Sequence, residues 1–235
     1  MADTARLKAI AAPHAGGWLN APPITAIGLR LSDKASRVPV GFRLGCITCQ
    51  PHICICGAMV EARGVHGLSC RKSGPKHARH SQLNDLIWRA IKRSQIRATK
   101  ERIGLSRIDG KRPDEATLIP WKRGKPLAWE VTVPDTYVAS HLAETAESAG
   151  AAANKAAANR ISTYSTLATT HHFVPISVKT GGPCNPESSS FIAELGKRIS
   201  QITFEPLETK FIFQRLSISL QRGNELVFRN TFSAE

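Results

Sequence analysis

The chain has 235 residues, 42% of them hydrophobic, which is enough for a core in one large domain or in a small module beside an ordinary domain. It contains 32 lysine and arginine residues against 18 aspartate and glutamate residues, a formal net charge of +14. This surplus is spread along the chain and favours a polyanionic partner, nucleic acid in particular. No apolar run approaches the ~18 residues that cross a bilayer, and a secretory signal is not expected, so no membrane partner is predicted.

The N-terminal part of the chain carries no recognisable chemistry. Residues 1–24 are rich in Ala, Pro and Gly and are predicted to be irregular. Ser32 or Asp33 can cap a helix whose length Pro39 would limit. We interpret residues 1–45 as a brace or linker that follows an upstream domain.

Five of the six cysteines lie between Cys46 and Cys70. In a chain without a secretory signal, such clustering beside histidines indicates metal binding rather than disulfides. Zinc takes four thiolate or imidazole ligands in a tetrahedron. The preferred set combines a cysteine pair at a turn with a histidine and a cysteine that share one face of a helical turn: Cys54, Cys56, His66 and Cys70. Four protein ligands leave no position for water, so this zinc would be structural.

Two alternatives to this ligand set remain open. If the one-residue gap between the first two cysteines is too tight, Cys46, Cys49 or His52 can substitute. The other alternative is a group of buried free thiols with a surface histidine.

A helix is predicted over residues 76–93, where apolar residues recur at intervals of three and four. Its core stripe comprises Leu83, Leu86, Ile87, Ala90 and Ile91. His80 and Asn84 lie along one edge of this stripe, and Asp85 lies on the polar side. If the helix contributes to a metal site, His80 or Asn84 is therefore favoured over Asp85. The alternative role for the histidines is hydrogen bonding to phosphate or to the backbone.

Three strands are predicted next, over residues 97–105 (with Glu101 inside), 116–120 and 126–133. The last two are separated by the turn-like Lys-Arg-Gly-Lys sequence and predict a hairpin that brings Asp114 near Glu130. Two facing carboxylates form a hard-oxygen site for Mg²⁺, which suits phosphodiester chemistry.

Each carboxylate also has an ordinary interpretation. Asp114 can be a turn residue, since Pro-Asp is a frequent turn pair. Glu130 can be a surface strand residue paired with Lys125 or Arg112. The remaining elements are predicted as a helix over residues 148–167, a strand over 173–179, and helices over 191–202 and 208–227.

The order helix, three strands, helix, strand, with Pro113-Asp114 and Glu130 on adjacent strands, resembles the PD-(D/E)XK restriction-like nuclease fold. The upstream cysteine–histidine knuckle narrows this resemblance to the C-terminal region of site-specific non-long-terminal-repeat retrotransposons. The runs GKRPDEATLIPW, WEVTV and GVHGLSC are similar to reverse-transcriptase-related proteins of invertebrate genomes. The resemblance covers residues 15 to 225, and the sequence contains no polymerase domain.

The resemblance implies an α/β fold with a zinc knuckle at residues 46–74, a restriction-endonuclease-like αβββαβ core at 75–205 and a C-terminal helix at 206–235. It implies that Asp114 and Glu130 bind Mg²⁺ or Mn²⁺, with the Val131 carbonyl as a third candidate ligand. The implied reaction is nicking of one DNA strand, which leaves a 3′ hydroxyl that primes reverse transcription. DNA, and element RNA as a further candidate, are the implied partners, and the nucleus is the implied location.

The family's catalytic lysine is not at its usual place, because position 132 is threonine. In the retrotransposon branch that lysine lies on the following helix, a few residues before a tyrosine. Tyr164 matches the tyrosine, and Arg160 stands where the lysine is expected, with Lys155 the nearest lysine. At ~100° per residue, Arg160 lies at the margin of a buried stripe and Lys155 lies almost opposite it, so Arg160 is favoured. The stripe comprises Ala153, Ala157, Ile161 and Tyr164.

The candidate catalytic set is therefore Asp114, Glu130, Arg160 and His80. Arginine binds phosphate well but stays protonated and is a poor proton acceptor. Two further hypotheses follow: a nucleic-acid-binding remnant of the same fold without catalysis, and a zinc protein that acts as a scaffold for other proteins.

Overall fold

The computed structural model describes residues 2–100, 113–182 and 184–232, without the side chains of residues 139–141. The helices are α1 (Ala2–Ala11), α2 (Asp33–Leu44), α3 (His66–Ser69), α4 (Pro75–Arg93), α5 (Ala139–Glu147), α6 (Ala151–Thr163), α7 (Pro186–Thr203) and α8 (Glu208–Arg229). The strands are β1 (His52–Ile53), β2 (Met59–Val60), β3 (Ala98–Lys100), β4 (Glu115–Lys122), β5 (Lys125–Thr132) and β6 (His172–Ser177). Short 3₁₀ helices cover Gly17–Asn20 and Ser165–Thr169.

The main sheet has four strands in the order β3-β4-β5-β6. The first three strands are antiparallel, and β6 runs parallel to β5 after a connection that contains α5 and α6. The β4–β5 hairpin turns through two residues with positive φ, Arg123 at 50° and Gly124 at 74°, as a two-residue hairpin loop with the right twist requires. The prediction of a mixed α/β protein is confirmed.

The two faces of β5 differ, as expected for alternating side chains. Leu127, Trp129 and Val131 are buried in the principal core with apolar residues of α4, α7 and α8. Ala128 and Glu130 point to the other face, which α6 covers. The alanines of α6 at 152, 153 and 157 are buried, and their small side chains allow the helix to lie close to the sheet. Glu130 is thus a carboxylate on a largely covered face.

Helix α8 belongs to two cores. Leu216 and Leu220 are buried in the principal core, whereas Val227 and Phe228 form a second core with residues of α2 and α3. The knuckle lies close to this end of α8, because a side chain at Gly67 would meet the Phe228 backbone at 2.9 Å. The predicted C-terminal helix is therefore an integral part of the packing.

Three predictions about the N-terminal and middle helices were wrong. Residues 1–24 are not irregular, since α1 and a 3₁₀ helix lie there and α1 packs on α5 through buried Ala5 and Ala9. Pro39 does not end α2, which continues to Leu44 and stops at Gly45, where φ is 74°. The single predicted helix over residues 148–167 ends instead at Thr163, followed by the 3₁₀ helix, and α5 was not predicted.

Other predicted elements agree closely with the structure. Ser32 caps α2 by accepting a hydrogen bond from the Ala35 N–H. Of the strand predicted at 97–105, residues 98–100 are extended, while residues 101–105, with Glu101, lie outside the described residues. Arg112, one proposed partner of Glu130, lies outside them as well. No helix within the described ranges is long and apolar enough to span a membrane.

Candidate active site and metal centre

A cluster of three cysteines and one histidine forms next to the small hairpin of β1 and β2. The turn between these strands places Cys54 and Cys56 together, with Gly57 at φ 88°, a conformation that glycine adopts without strain. Two hydrogen bonds close the turn, from the Cys54 N–H to the Ala58 carbonyl and from the Gly57 N–H to the Cys54 carbonyl. The single helical turn of α3 carries His66 and presents Cys70 at its end. Sequence-distant ligands are thereby brought together.

The geometry of this cluster suits a tetrahedral ion. The four ligand atoms all lie within 4.8 Å of one another. The Sγ atoms of Cys54 and Cys70 are 3.6 Å apart, and Cys56 Sγ is 3.3 Å from His66 Nε2. Ligands about 2.1–2.3 Å from a central zinc stand roughly 3.4–3.8 Å apart in a tetrahedron. The cluster can therefore hold a metal such as zinc, in the preferred ligand set.

The three substitute ligands lie elsewhere. The Cys49 thiol points to the carbonyls of Glu61 and Ala62, and Cys46 is exposed. The His52 ring bonds to the Thr231 hydroxyl at 3.0 Å and stacks on Phe232. This places His52 in the contact between the knuckle and the end of α8.

The second candidate site lies where β4 begins and β5 nears its end. The pairing of Glu115 with Trp129 places Asp114, one residue earlier, across from Glu130, one residue later. Facing residues of an antiparallel pair have Cβ atoms roughly 4.5–5.5 Å apart, so the two side chains start from neighbouring positions on one face. Asp114 is fixed here because its Oδ2 accepts a 2.8 Å hydrogen bond from the Val131 N–H.

His80, one turn into α4, is directed at the same site. Its Nε2 is 3.2 Å from Asp114 Oδ2 and 2.9 Å from the Val131 carbonyl oxygen. Since both neighbours are acceptors, Nε2 carries the proton. The hydrogen bond to Asp114 is the largest cause of the raised pKa of His80. The Val131 carbonyl, the third candidate metal ligand, is therefore engaged by His80 in this structure.

Glu130 is 8% exposed and has partners from α6 and the residue after it. Arg160 Nη1 lies 3.1 Å from Glu130 Oε1, and the Tyr164 hydroxyl donates a hydrogen bond to this carboxylate. Burial raises the pKa of Glu130, while Arg160 and Tyr164 oppose that rise. The structure thus pairs the predicted catalytic residues in two contacts, His80 with Asp114 and Arg160 with Glu130, at the same end of the β4–β5 pair.

Two buried oxygen atoms on this face of β5 lack a hydrogen-bond partner in the described part of the chain. Glu130 Oε2 is buried and has no hydrogen-bond partner within the described residues, and the same holds for the Thr132 hydroxyl. Both side chains lie on the same face of β5, two residues apart. A buried carboxylate oxygen without a donor is costly, and an ion shared with Asp114 would remove that cost.

The structure distinguishes between Arg160 and Lys155, the two candidates for the position of the family's catalytic lysine. Lys155 is half exposed and pairs with Glu144 at 2.8 Å, away from Glu130. Ile161 was wrongly predicted to be buried and is 48% exposed, because α6 turns its margin toward solvent there. Ala153, Ala157 and Tyr164 are buried as predicted.

One lysine on the active face was missed by the sequence reasoning. Lys179 follows β6 and is fully buried, and burial lowers its pKa to about 8. Its Nζ donates hydrogen bonds to the Thr145 hydroxyl and the Ala149 carbonyl, so it holds the α5–α6 connection. The alternation along residues 173–179 puts Lys179 on the Glu130 face, and this signal was available in the sequence.

A further buried carboxylate was also missed. Glu115 is 3% exposed and lies on the α4 face of the sheet, where its Oε1 accepts a hydrogen bond from the Asn84 amide. The Asn84 oxygen accepts in turn from the Trp129 indole N–H. Asn84 is therefore used in packing rather than at the Asp114 site. Asp85 pairs with Arg89 and Lys100 on the outer side of α4.

No protein family model matches the chain, and no curated protein matches it. The retrotransposon resemblance therefore remains a hypothesis carried by the motifs.

Proposed function

We propose that this protein is a metal-dependent DNA endonuclease of the restriction-like type, preceded by a structural zinc knuckle. The observation that supports the proposal is the position of Asp114 opposite Glu130 at the β4–β5 pair, with a buried Glu130 oxygen that has no donor within the described residues. The order of elements from α4 to β6 and the sheet order are consistent with the αβββαβ core of that fold.

Each residue of the site has a role that follows from its contacts. Asp114 and Glu130 would hold Mg²⁺ or Mn²⁺, which when bound supplies an activated water and offsets charge at the phosphate. The Asp114 carboxylate is positioned by the Val131 N–H and by His80. Arg160 is 35% exposed in its side chain, so it can exchange Glu130 for a phosphate oxygen.

Basic groups lie between the two candidate sites. An open cavity of 330 Å³ lies between the end of α3 and His80, and its lining includes Lys76, the buried Arg79 and one carboxylate, Asp135. Arg71 and Lys72 are exposed directly after the last cysteine of the knuckle. Together with the net charge of +14, these cations support a nucleic-acid backbone as the partner. The nuclear location implied by the resemblance forms part of the same proposal.

The alternative is a DNA-binding remnant of the same fold, which the arginine at position 160 favours. Arginine holds a phosphate but accepts a proton poorly. The endonuclease and the remnant both predict DNA binding that weakens steeply with salt. A zinc protein that acts as a scaffold for other proteins predicts weak or salt-insensitive DNA binding.

Nicking of supercoiled plasmid in Mg²⁺ or Mn²⁺ tests the proposal. We expect nicking by the zinc-loaded protein and a loss of about 100-fold or more in D114N and in E130Q, because each removes charge that holds the cation. DNA affinity should stay within about threefold, since the phosphate-binding cations are retained. E194Q removes an exposed carboxylate on α7 and should nick like the unchanged protein.

Two results would count against the endonuclease. If the protein nicks DNA in neither metal but retains salt-sensitive DNA binding, the non-catalytic DNA-binding remnant would be supported instead. Nicking that survives in both D114N and E130Q would place the chemistry elsewhere.

A further inference from the structure

A second cavity opens beside the candidate active site on the same face of the sheet. Its volume is 430 Å³, within the roughly 300–1,000 Å³ range of ligand sites. The β4–β5 turn, the end of α6 and the start of β6 line it. Tyr164 belongs to this lining and also hydrogen-bonds to Glu130, so the cavity lies next to the Glu130 carboxylate.

The rim of the cavity is strongly basic. Lys122, Arg123 and Lys125 project from the hairpin turn, and Glu187 is the one acidic residue among those lining the cavity. Neither Lys122 nor Arg123 has an ion-pair partner within the described residues. Burial and these three cations lower the pKa of His172 in the same wall. The rim therefore carries three cations against one carboxylate, and this surplus of positive charge favours a phosphate group.

The floor of the cavity is apolar and aromatic. The rings of Tyr164 and Phe173 lie 4.9 Å apart, and Ile161 is 48% exposed at the edge. Aromatic surface next to cations is the combination that binds single strands, because every base can stack and every phosphate is anionic. The bases of a duplex already stack on one another, so their faces cannot stack on the aromatic residues of this cavity.

The position along the sheet connects the two sites. Phe173 pairs with Ala128, and Pro175 pairs with Glu130, so the floor and the Glu130 carboxylate are two residues apart along β5. At about 3.3 Å per residue, this is a separation of roughly 7 Å.

We propose that this cavity binds single-stranded nucleic acid, with a backbone phosphate against Lys122 and Arg123 and a base against Phe173 and Ile161. The inference rests on the proposed nuclease function in one respect, the source of the strand. The cavity would bind the DNA end next to the nick. Binding itself uses none of the metal-site carboxylates.

Fluorescence anisotropy with labelled dT15 and the full chain tests this inference. The K122Q/R123N variant removes both unpaired cations, and asparagine tolerates the positive φ at position 123. We expect dT15 affinity to fall at least tenfold and the salt slope to shrink by about 1.4, at about 0.7 for each lost phosphate contact on a single strand. F173L should weaken binding about fivefold with the slope unchanged, because it removes stacking and no charge.

K34Q/R37Q is the matched control, because it removes two exposed cations from α2 and leaves the cavity intact. We expect its dT15 affinity to fall less than threefold. An equal loss in this variant and in K122Q/R123N would overturn the inference. Displacement of dT15 by polyglutamate as readily as by unlabelled dT15 would also overturn it, in favour of an acidic peptide.

The outcomes separate this inference from the nuclease proposal. Site-specific dT15 binding by a protein that never nicks would leave the inference standing and defeat the nuclease. The opposite result would support the nuclease and refute the inference. In that case D114N would lose nicking, and K122Q/R123N and F173L would bind dT15 as tightly as the unchanged protein.

Discussion

In the proposed nuclease, Arg160 is the residue on which catalysis would depend most. It lies 3.1 Å from Glu130, where the resembled family would place a lysine. A guanidinium at this position pairs with the carboxylate and can bind phosphate, but arginine is a poor proton acceptor. The site therefore has electrostatic stabilisation without an evident proton acceptor on α6.

Arg160→Lys is expected to raise the single-turnover nicking rate about tenfold at pH 8–9, because a lysine next to the reacting water can act as a base, and a well-placed base contributes about 10²–10⁴-fold. Nicking of supercoiled plasmid at saturating protein measures the rate. K155R, on the same helix and paired with Glu144, is the control and should leave the rate unchanged. A slower R160K enzyme would mean that phosphate binding by arginine matters more.

The raised pKa of Glu115 predicts one part of how the stability responds to alkali. Burial is the largest cause that raises its pKa from 4.5 to about 8, so the folded protein retains a proton that the unfolded chain releases. A raised folded pKa gives stability that is complete below about pH 4.5 and is lost as pH rises to about 8.

Urea unfolding at pH 5 and pH 9 measures this loss. Glu115→Gln should reduce the difference in unfolding free energy between the two pH values by roughly 2–4 kcal/mol, since each tenfold change in proton affinity is about 1.4 kcal/mol. E194Q, which changes an exposed carboxylate, should not alter the difference. An identical pH response in E115Q and the unchanged protein would refute the assignment.

At the scale of the elements, the knuckle contains the least regular secondary structure and the smallest apolar core. Two strands of two residues each and one helical turn cannot bury enough apolar surface to persist alone. Its small core consists largely of the cysteines themselves, with Val60. Metal binding is therefore expected to supply most of its folding free energy.

Cys70→Ser should reduce the zinc content from about one ion per chain to near zero and lower Tm by about 10 °C, on a scale of about 2–4 °C per kcal/mol for a chain of this size. Zinc analysis and thermal unfolding measure the two effects. Cys46→Ser alters an exposed cysteine outside the cluster and should change neither. A fully zinc-free native protein would rule out the metal centre.

The local elements were predictable where one pattern dominated. The period of α4, the Pro-Asp and hairpin signals around β4 and β5, and the apolar run of β6 each depend on residues close in sequence. The ligand set of the knuckle followed from zinc chemistry and one helical turn. Helix α1 and the break after Thr163 depend on packing against α5 and on the sheet, which the sequence alone does not reveal.

At the scale of the whole molecule, the sequence predicted an order of elements but not how they share cores. Helix α8 was assigned to a separate C-terminal part, yet Leu216 and Phe228 place it in both major cores. The burial of Lys179 and Glu115 was not predicted for a similar reason, because it results from long-range packing; the sequence indicated only the face of the sheet on which Lys179 lies. The meeting of Asp114 with His80 likewise depends on how α4 crosses the sheet end.

The 22 residues of α8 make a rod of about 33 Å, bonded at its far end to the knuckle through Thr231 and His52. A helix of this length sets the distance between the knuckle and helix α7, which packs against α8. If the knuckle grips one stretch of duplex, the distance from that grip to the severed bond is then set in base pairs by the helix. Cleavage position would be measured by length rather than read from bases.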